Sequence, residues 1–247
     1  MRRVALLAGL GVLGGCGAPE RTPLTVLAAS SLTDVFGELE RRFEAEHPEV
    51  DVVVAFGGTQ ALATQIRHGL RADVLASADE AHVTALAAEG LVEAPRPFAH
   101  NALVLAVADG AGDVAWRDLP ELERLVVGDA DVPLGRYTSA LLDDAGERYG
   151  AAWRAAVEAR VVSREPHARA VSAKVALGEA DAAIVYATDV PVGHRAIGWP
   201  DGPVATYHHA ALTEAPEPGL ARAWTTFVAS PDGRAALEAH GFGLPSP

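Results

Sequence analysis

VLAASSL (26–32) is the stretch that decides the fold. An apolar, strand-like run passes without a linker into two hydroxyl residues, Ser30 and Ser31. A helical stripe then follows, with Leu32, Val35, Phe36, Leu39 and Phe43 at helix spacing. Three later stretches repeat the design of strand, small or polar residue, helix start: VVAFGGTQAL (53–62), VVGDADVPLGRY (126–137) and VSREPHARAV (162–171). A helix N-terminus offers unpaired backbone N–H groups and the positive end of a dipole. Several such termini converging make an anion site that needs no Arg or Lys.

Outward from these stretches the pattern is continuous. Strands are expected over 25–29, 50–56, 74–77, 103–108, 125–127, 159–163, 182–186 and 205–209. Helices are expected over 31–46, 59–68, 79–89, 136–149, 168–177, 219–229 and 232–240. Several strands are unbroken Val/Leu/Ala runs, as in sheets covered on both faces. The alternation predicts an α/β protein with mainly parallel sheets flanked by helices. No linker divides the chain, so two lobes would be joined by strands crossing between them, near 99–103 and 204–207. The expected division is 24–102 with 205–247 as the first lobe and 103–204 as the second.

The 247 residues carry 20 Lys and Arg against 33 Asp and Glu, a net charge of −13. That balance argues against nucleic acid or an anionic membrane surface as partner. Arg2 and Arg3, then a short apolar run over 4–12, read as an export signal too short to span a bilayer. The run ends in LGGC (13–16), which resembles a bacterial lipobox. Residues 1–15 are then the signal peptide, Cys16 the lipidated N-terminus and 16–23 a tether. Cys16 is the single cysteine, so no internal disulfide forms.

Read together, LAASSLT (27–33), FGGTQALA (56–63), ADVLASAD (72–79), VGD (127–129), VPLG (132–135), EPHARAV (165–171) and GEADAAIVY (178–186) resemble the periplasmic molybdate-binding proteins of ABC importers. SPDG (230–233) and Gly241-Phe242 extend the resemblance over nearly the whole mature chain. It implies a type II periplasmic-binding fold with the ligand cleft between two lobes. It also implies a ligand shell: Ser31 and Thr59 as hydroxyl donors, Leu134 and Ala168 as backbone N–H donors, and the Tyr186 phenol closing from the second lobe. Thr59 stands where the family usually has serine. His167 stands where Asn or Asp is usual, and reads as a capping or rim residue beside Ala168.

Such a shell suits its cargo. Molybdate and tungstate are tetrahedral dianions whose oxygens only accept hydrogen bonds, so the site is all donors. Phosphate keeps a proton near neutrality and favours a carboxylate in its shell, and none is implied here. The expected protein is therefore a monomeric, extracytoplasmic molybdate or tungstate carrier. It is lipid-anchored through Cys16 and delivers to an ABC permease, with no cofactor and molybdenum present only as the bound oxyanion. A carrier of another oxyanion such as sulfate is the alternative, and a secreted hydrolase a weaker one. The chain lacks G-x-S-x-G, Walker and H-E-x-x-H signatures. Asp73 and Asp79 read as structural caps and Arg169 as an ion-pair partner. His208 and His209, neighbours on a strand, face opposite ways and make a poor metal pair.

Overall fold

The computed structural model describes residues 21–245. The signal, lipobox and tether expectations fall on residues 1–20 or at their edge, so the Cys16 reading lies outside the described residues.

β1 (Thr22–Ala29), β2 (Val50–Gly57) and β3 (Val74–Ser77) form a parallel trio with β1 in the middle. Leu24, Val26, Leu27, Ala28 and Ala29 of β1 are all buried, which is why its apolar residues do not alternate with polar ones. β5 (Leu125–Gly128), β6 (Val161–Glu165) and β7 (Ala182–Tyr186) form a second parallel trio with β5 central. Each trio is the heart of one lobe.

Two long strands join the lobes. β4 (Arg96–Ala108) pairs antiparallel with β9 (Val204–Ala211) through its first half and with β7 through its second. β9 in turn runs antiparallel to β3. Where the chain crosses, the two strands lie against each other, with Ala99 opposite Tyr207 and Ala102 opposite Val204. The parallel cores are thus extended by antiparallel crossing strands, and β8 (His194–Gly198) adds an antiparallel partner for β4.

α1 (Thr33–Glu46) buries Val35, Phe36, Leu39 and Phe43, the stripe expected from its spacing. Those rings meet the chain's far end: Trp224 of α7 (Pro218–Ala229) lies edge-on to Phe43 at 5.3 Å and to Phe36 at 5.7 Å. The C-terminal helices, α7 and α8 (Pro231–Ala239), therefore return to the β1–β3 lobe.

β8 and α5 (Ala151–Glu158) were not expected. β8 is half-exposed and short of apolar residues, and α5 is a short, Ala-rich helix of eight residues that follows α4 (Pro133–Tyr149) directly across Gly150, so neither stands out from its neighbours as a separate element. Gly150, at φ +101°, separates the two helices. Because α5 runs to Glu158, β6 begins at Val161, two residues later than its sequence suggests.

Candidate functional site

Four helical N-termini converge at the carboxyl ends of the two parallel trios. A short 3-10 turn, Ser30–Leu32, leads from β1 into α1. α2 (Thr59–Arg67) follows β2, α4 follows β5, and α6 (Ala168–Ala176) follows β6. They meet between the lobes at a pocket enclosing about 230 Å³ of unfilled space, its mouth included. Ser31, Thr59, Leu134, Ala168 and Tyr186 all line it, with Ser30, Ala78, Pro133 and His167 between them.

The chemistry of this lining is uniform. It contains no Asp, Glu, Lys or Arg. The backbone N–H groups of Thr59, Leu134 and Ala168 sit in first helical turns and have no acceptor among the described residues. Thr59 Oγ1 accepts the Ala78 N–H at 3.2 Å, which leaves its own hydroxyl hydrogen free to donate. Ser31 Oγ lies 2.8 Å from the Tyr207 hydroxyl, a buried contact that fixes the serine rotamer.

Tyr186 enters from the end of β7. Its side chain is fully buried, yet its hydroxyl has no hydrogen-bond partner. Burial, aided by the neighbouring Tyr207, pushes the phenol well above its ordinary pKa, so it stays a donor. An orphaned phenol facing a pocket of unpaired N–H groups is costly unless a ligand completes it.

Close backbone approach shapes the walls. A Cβ on Gly135 would stand 1.8 Å from the Asp129 carbonyl oxygen, so only glycine lets α4 start so tightly against β5. A Cβ on Gly58 would stand 2.5 Å from the Pro166 carbonyl oxygen, across the cleft. The same carbonyl accepts from Gln60 Nε2 at 2.8 Å.

The remaining polar residues serve the frame. His167 lines the pocket but its Nδ1 accepts the Ala170 N–H at 3.1 Å, capping α6. Asp73 accepts from the N–H groups of Thr25 and Glu217, both at 2.7 Å, tying β1 to the start of α7. Asp79 caps α3 (Glu80–Ala88). Arg169 pairs with Asp34 and, at 3.1 Å, with Asp189, and does not line the pocket. His209 stacks on Phe98 while His208 turns to the Thr206 carbonyl. Sequence reasoning did not single out Ser30, Ala78 or Tyr207. Ser30 was masked by its neighbour Ser31, and the other two act through tertiary contacts that no local pattern records.

Two α/β lobes joined by crossing strands, with a pocket between them, are the architecture of a solute-binding protein. The chain belongs to the bacterial extracellular solute-binding protein family, whose model matches residues 24–243. That family binds and carries solutes and is not one of enzymes. Over 97% of its length the chain is 34% identical to the molybdate-binding protein ModA of Mycobacterium tuberculosis, covering 95% of that protein. It is 30% identical to the ModA of Haemophilus influenzae over 77% of this chain and 74% of that one. Among solved structures, the periplasmic molybdate-binding protein of Azotobacter vinelandii superposes with a TM-score of 0.80 at 20% identity, over 90% of this chain and all of that one. The sulfate-binding protein SubI of M. tuberculosis also gives 0.80, at 17% identity, over 92% and 88%. The fold is thus shared by carriers of different oxyanions.

Proposed function

We propose that this protein captures molybdate, or tungstate, in the pocket between its lobes and hands it to an ABC permease. The observation that carries this reading is the lining: neutral donors only, from four helix starts and one orphaned phenol. In this reading Ser31 and Thr59 donate hydroxyls, Leu134 and Ala168 donate backbone N–H groups, and Tyr186 closes the shell. Desolvating a dianion is expensive. Hydrogen bonds to a charged acceptor return about 1.5–3 kcal/mol each, and helix termini about 0.3–2 kcal/mol. Without a carboxylate acceptor in the lining, protonated phosphate fits poorly.

The two lobes take 24–102 with 205–247, and 103–204, and they close on the ion about the β4–β9 crossing. The protein acts as a monomer on the extracytoplasmic side, held at the membrane by a lipid on Cys16. The similarity to ModA proteins, over 97% of this chain for one and 77% for another, supports this cargo. Sulfate is the second reading, favoured by the equally good superposition on SubI. It shares the charge and the geometry, so only size separates it: a cavity fitted to longer metal–oxygen bonds holds sulfate loosely. Calorimetric titration with molybdate, tungstate, sulfate and phosphate tests the assignment. The expected result is tight binding of the first two alone. Preference for sulfate, or saturation by none of the four, overturns it.

A further inference from the structure

Beside the neutral pocket lies a charged cluster that no step above uses. Asp79 and His82 belong to the β3–α3 side of the cleft and Arg136 to α4 on the other. The Arg136 guanidinium pairs with the Asp79 carboxylate, whose side chain is only 5% exposed. Arg136 Nη2 also lies 2.9 Å from His82 Nδ1, which in turn lies 3.1 Å from both Asp79 oxygens. Both ends are braced within their own lobe. Asp79 accepts the His82 N–H at 3.2 Å and Ser77 Oγ donates to the Asp79 carbonyl at 2.6 Å, while Arg136 Nη1 donates to the Asp131 carbonyl at 3.1 Å. The cluster is therefore a strut whose length is set only when the lobes are shut.

We propose that Arg136, Asp79 and His82 form an acid-sensitive latch that holds the two lobes closed and positions the pocket walls without touching the ligand. The inference rests on the reading that this cleft closes on an anion.

The sensitivity follows from the donor count. A guanidinium only donates, so in the latch His82 is neutral with its Nδ1 lone pair toward Arg136 Nη2, and Nδ1 and the Asp79 oxygens are fellow acceptors gathered around the one guanidinium. Protonation puts a hydrogen on that nitrogen. His82 then donates to Asp79, competes for the carboxylate and adds a positive charge beside Arg136. The other charges around His82 do not replace this exchange. Arg67 of α2 is engaged by Glu89, Asp131 precedes α4 and adds some attraction for a proton, and Glu80 sits on the first turn of α3. Burial and Arg67 hold the His82 pKa below the ordinary histidine value in the closed form. Opening takes away Arg136 together with the weaker Asp131 and leaves His82 beside Asp79, with Arg67 still engaged by Glu89, and loss of the adjacent guanidinium favours the proton. Acid therefore favours the open form, by linkage.

The test places spin labels at Leu70 and Leu177, exposed residues on opposite lobes, in the full chain with Cys16→Ser. Interlobe distances are measured at about pH 7.5 and about pH 5.5, with and without saturating molybdate. Molybdate dissociation rates are measured alongside. The wild type is expected to shift from short to long distances on acidification. Arg136→Gln is expected to favour long distances at both values and to speed dissociation roughly tenfold. His82→Asn, whose amide oxygen replaces Nδ1 without titrating, is expected to stay short at both. Distances that ignore pH and Arg136→Gln, in both ligand conditions, overturn the latch. So does a His82→Asn response equal to the wild type's, which would place the titration at another group such as Asp189. Binding of molybdate without any distance response removes the latch alone. A distance response without molybdate binding removes the cargo assignment and keeps the latch.

Discussion

The pocket and its rim are built from opposite materials. Inside, no Asp, Glu, Lys or Arg lines the wall, and several donors are unpaired. At the rim, formal charges meet across the cleft, Arg136 with Asp79 and Arg169 with Asp34, and within one lobe Arg169 also meets Asp189. The division separates two tasks. In the proposed reading a dianion is held by dipoles that carry no counter-charge and form no competing salt bridge when the cleft is empty, and closure is held by ion pairs that are satisfied without the ligand. Moving charge from one region to the other should therefore do the most damage.

Ser31→Asp makes that exchange directly and carries the largest expected effect. The carboxylate would face a dianion in a buried site, where like charges repel strongly. Molybdate binding is expected to fall below calorimetric detection, with the protein still folded by circular dichroism. Retained binding would mean that Ser31 does not face the ion.

Tyr186→Phe removes one interior donor and nothing else, since its hydroxyl has no protein partner. Affinity is expected to drop by about 1.5–3 kcal/mol, the range for a hydrogen bond to a charged group. Stability without ligand should hold or rise, because a buried unpaired hydroxyl is lost. An unchanged dissociation constant would take Tyr186 out of the shell.

Gly58→Ala tests the boundary between the regions. Its methyl would stand 2.5 Å from the Pro166 carbonyl across the cleft and 2.6 Å from the flexible end of the Gln60 side chain, which can swing aside where backbone cannot. Overpacking of this kind costs about 1–3 kcal/mol. The cost should appear as weaker binding and a faster off-rate, with thermal stability of the ligand-free protein unchanged. Equal losses in both would mean that Gly58 matters to the fold rather than to closure.

The two regions also differ in how far the sequence discloses them. Interior residues sit in a local pattern, a helix start after a strand, but it is the resemblance to a known family that singles out Ser31, Thr59, Leu134 and Ala168 within it. The eight expected strands and seven expected helices are legible from short apolar runs and the residues that flank them, though β4 begins at Arg96 and α4 at Pro133, earlier than 103 and 136, while half-exposed β8 and Ala-rich α5 are not legible. The rim obeys no local rule. Arg136 meets Asp79, and Arg169 meets Asp34, only because two lobes distant in sequence face each other. Asp189 follows a strand with no local pattern to mark it, yet its side chain is wholly buried. Nothing within a few residues of any of these signals its partner.

Asp189 gives the smallest effect and the one that isolates the rim's buried charge. Desolvation raises its pKa from 3.8 to about 6, against the opposing pull of Arg169. A carboxyl whose folded pKa lies above its unfolded value binds more protons folded than unfolded across that window, so stability falls as pH rises through it. The penalty is small near pH 4, grows through pH 6 and is then constant. Asp189→Asn cannot ionise and escapes it. The stability difference between variant and wild type, measured by urea unfolding of ligand-free protein, is therefore expected to move in the variant's favour by about 1 kcal/mol between about pH 5 and about pH 8. The amide's own burial shifts both measurements equally and cancels in that comparison. A difference that stays flat with pH would mean that Arg169 keeps Asp189 ionised throughout, making the rim a fixed ion pair at this point and leaving His82 as its titrating member.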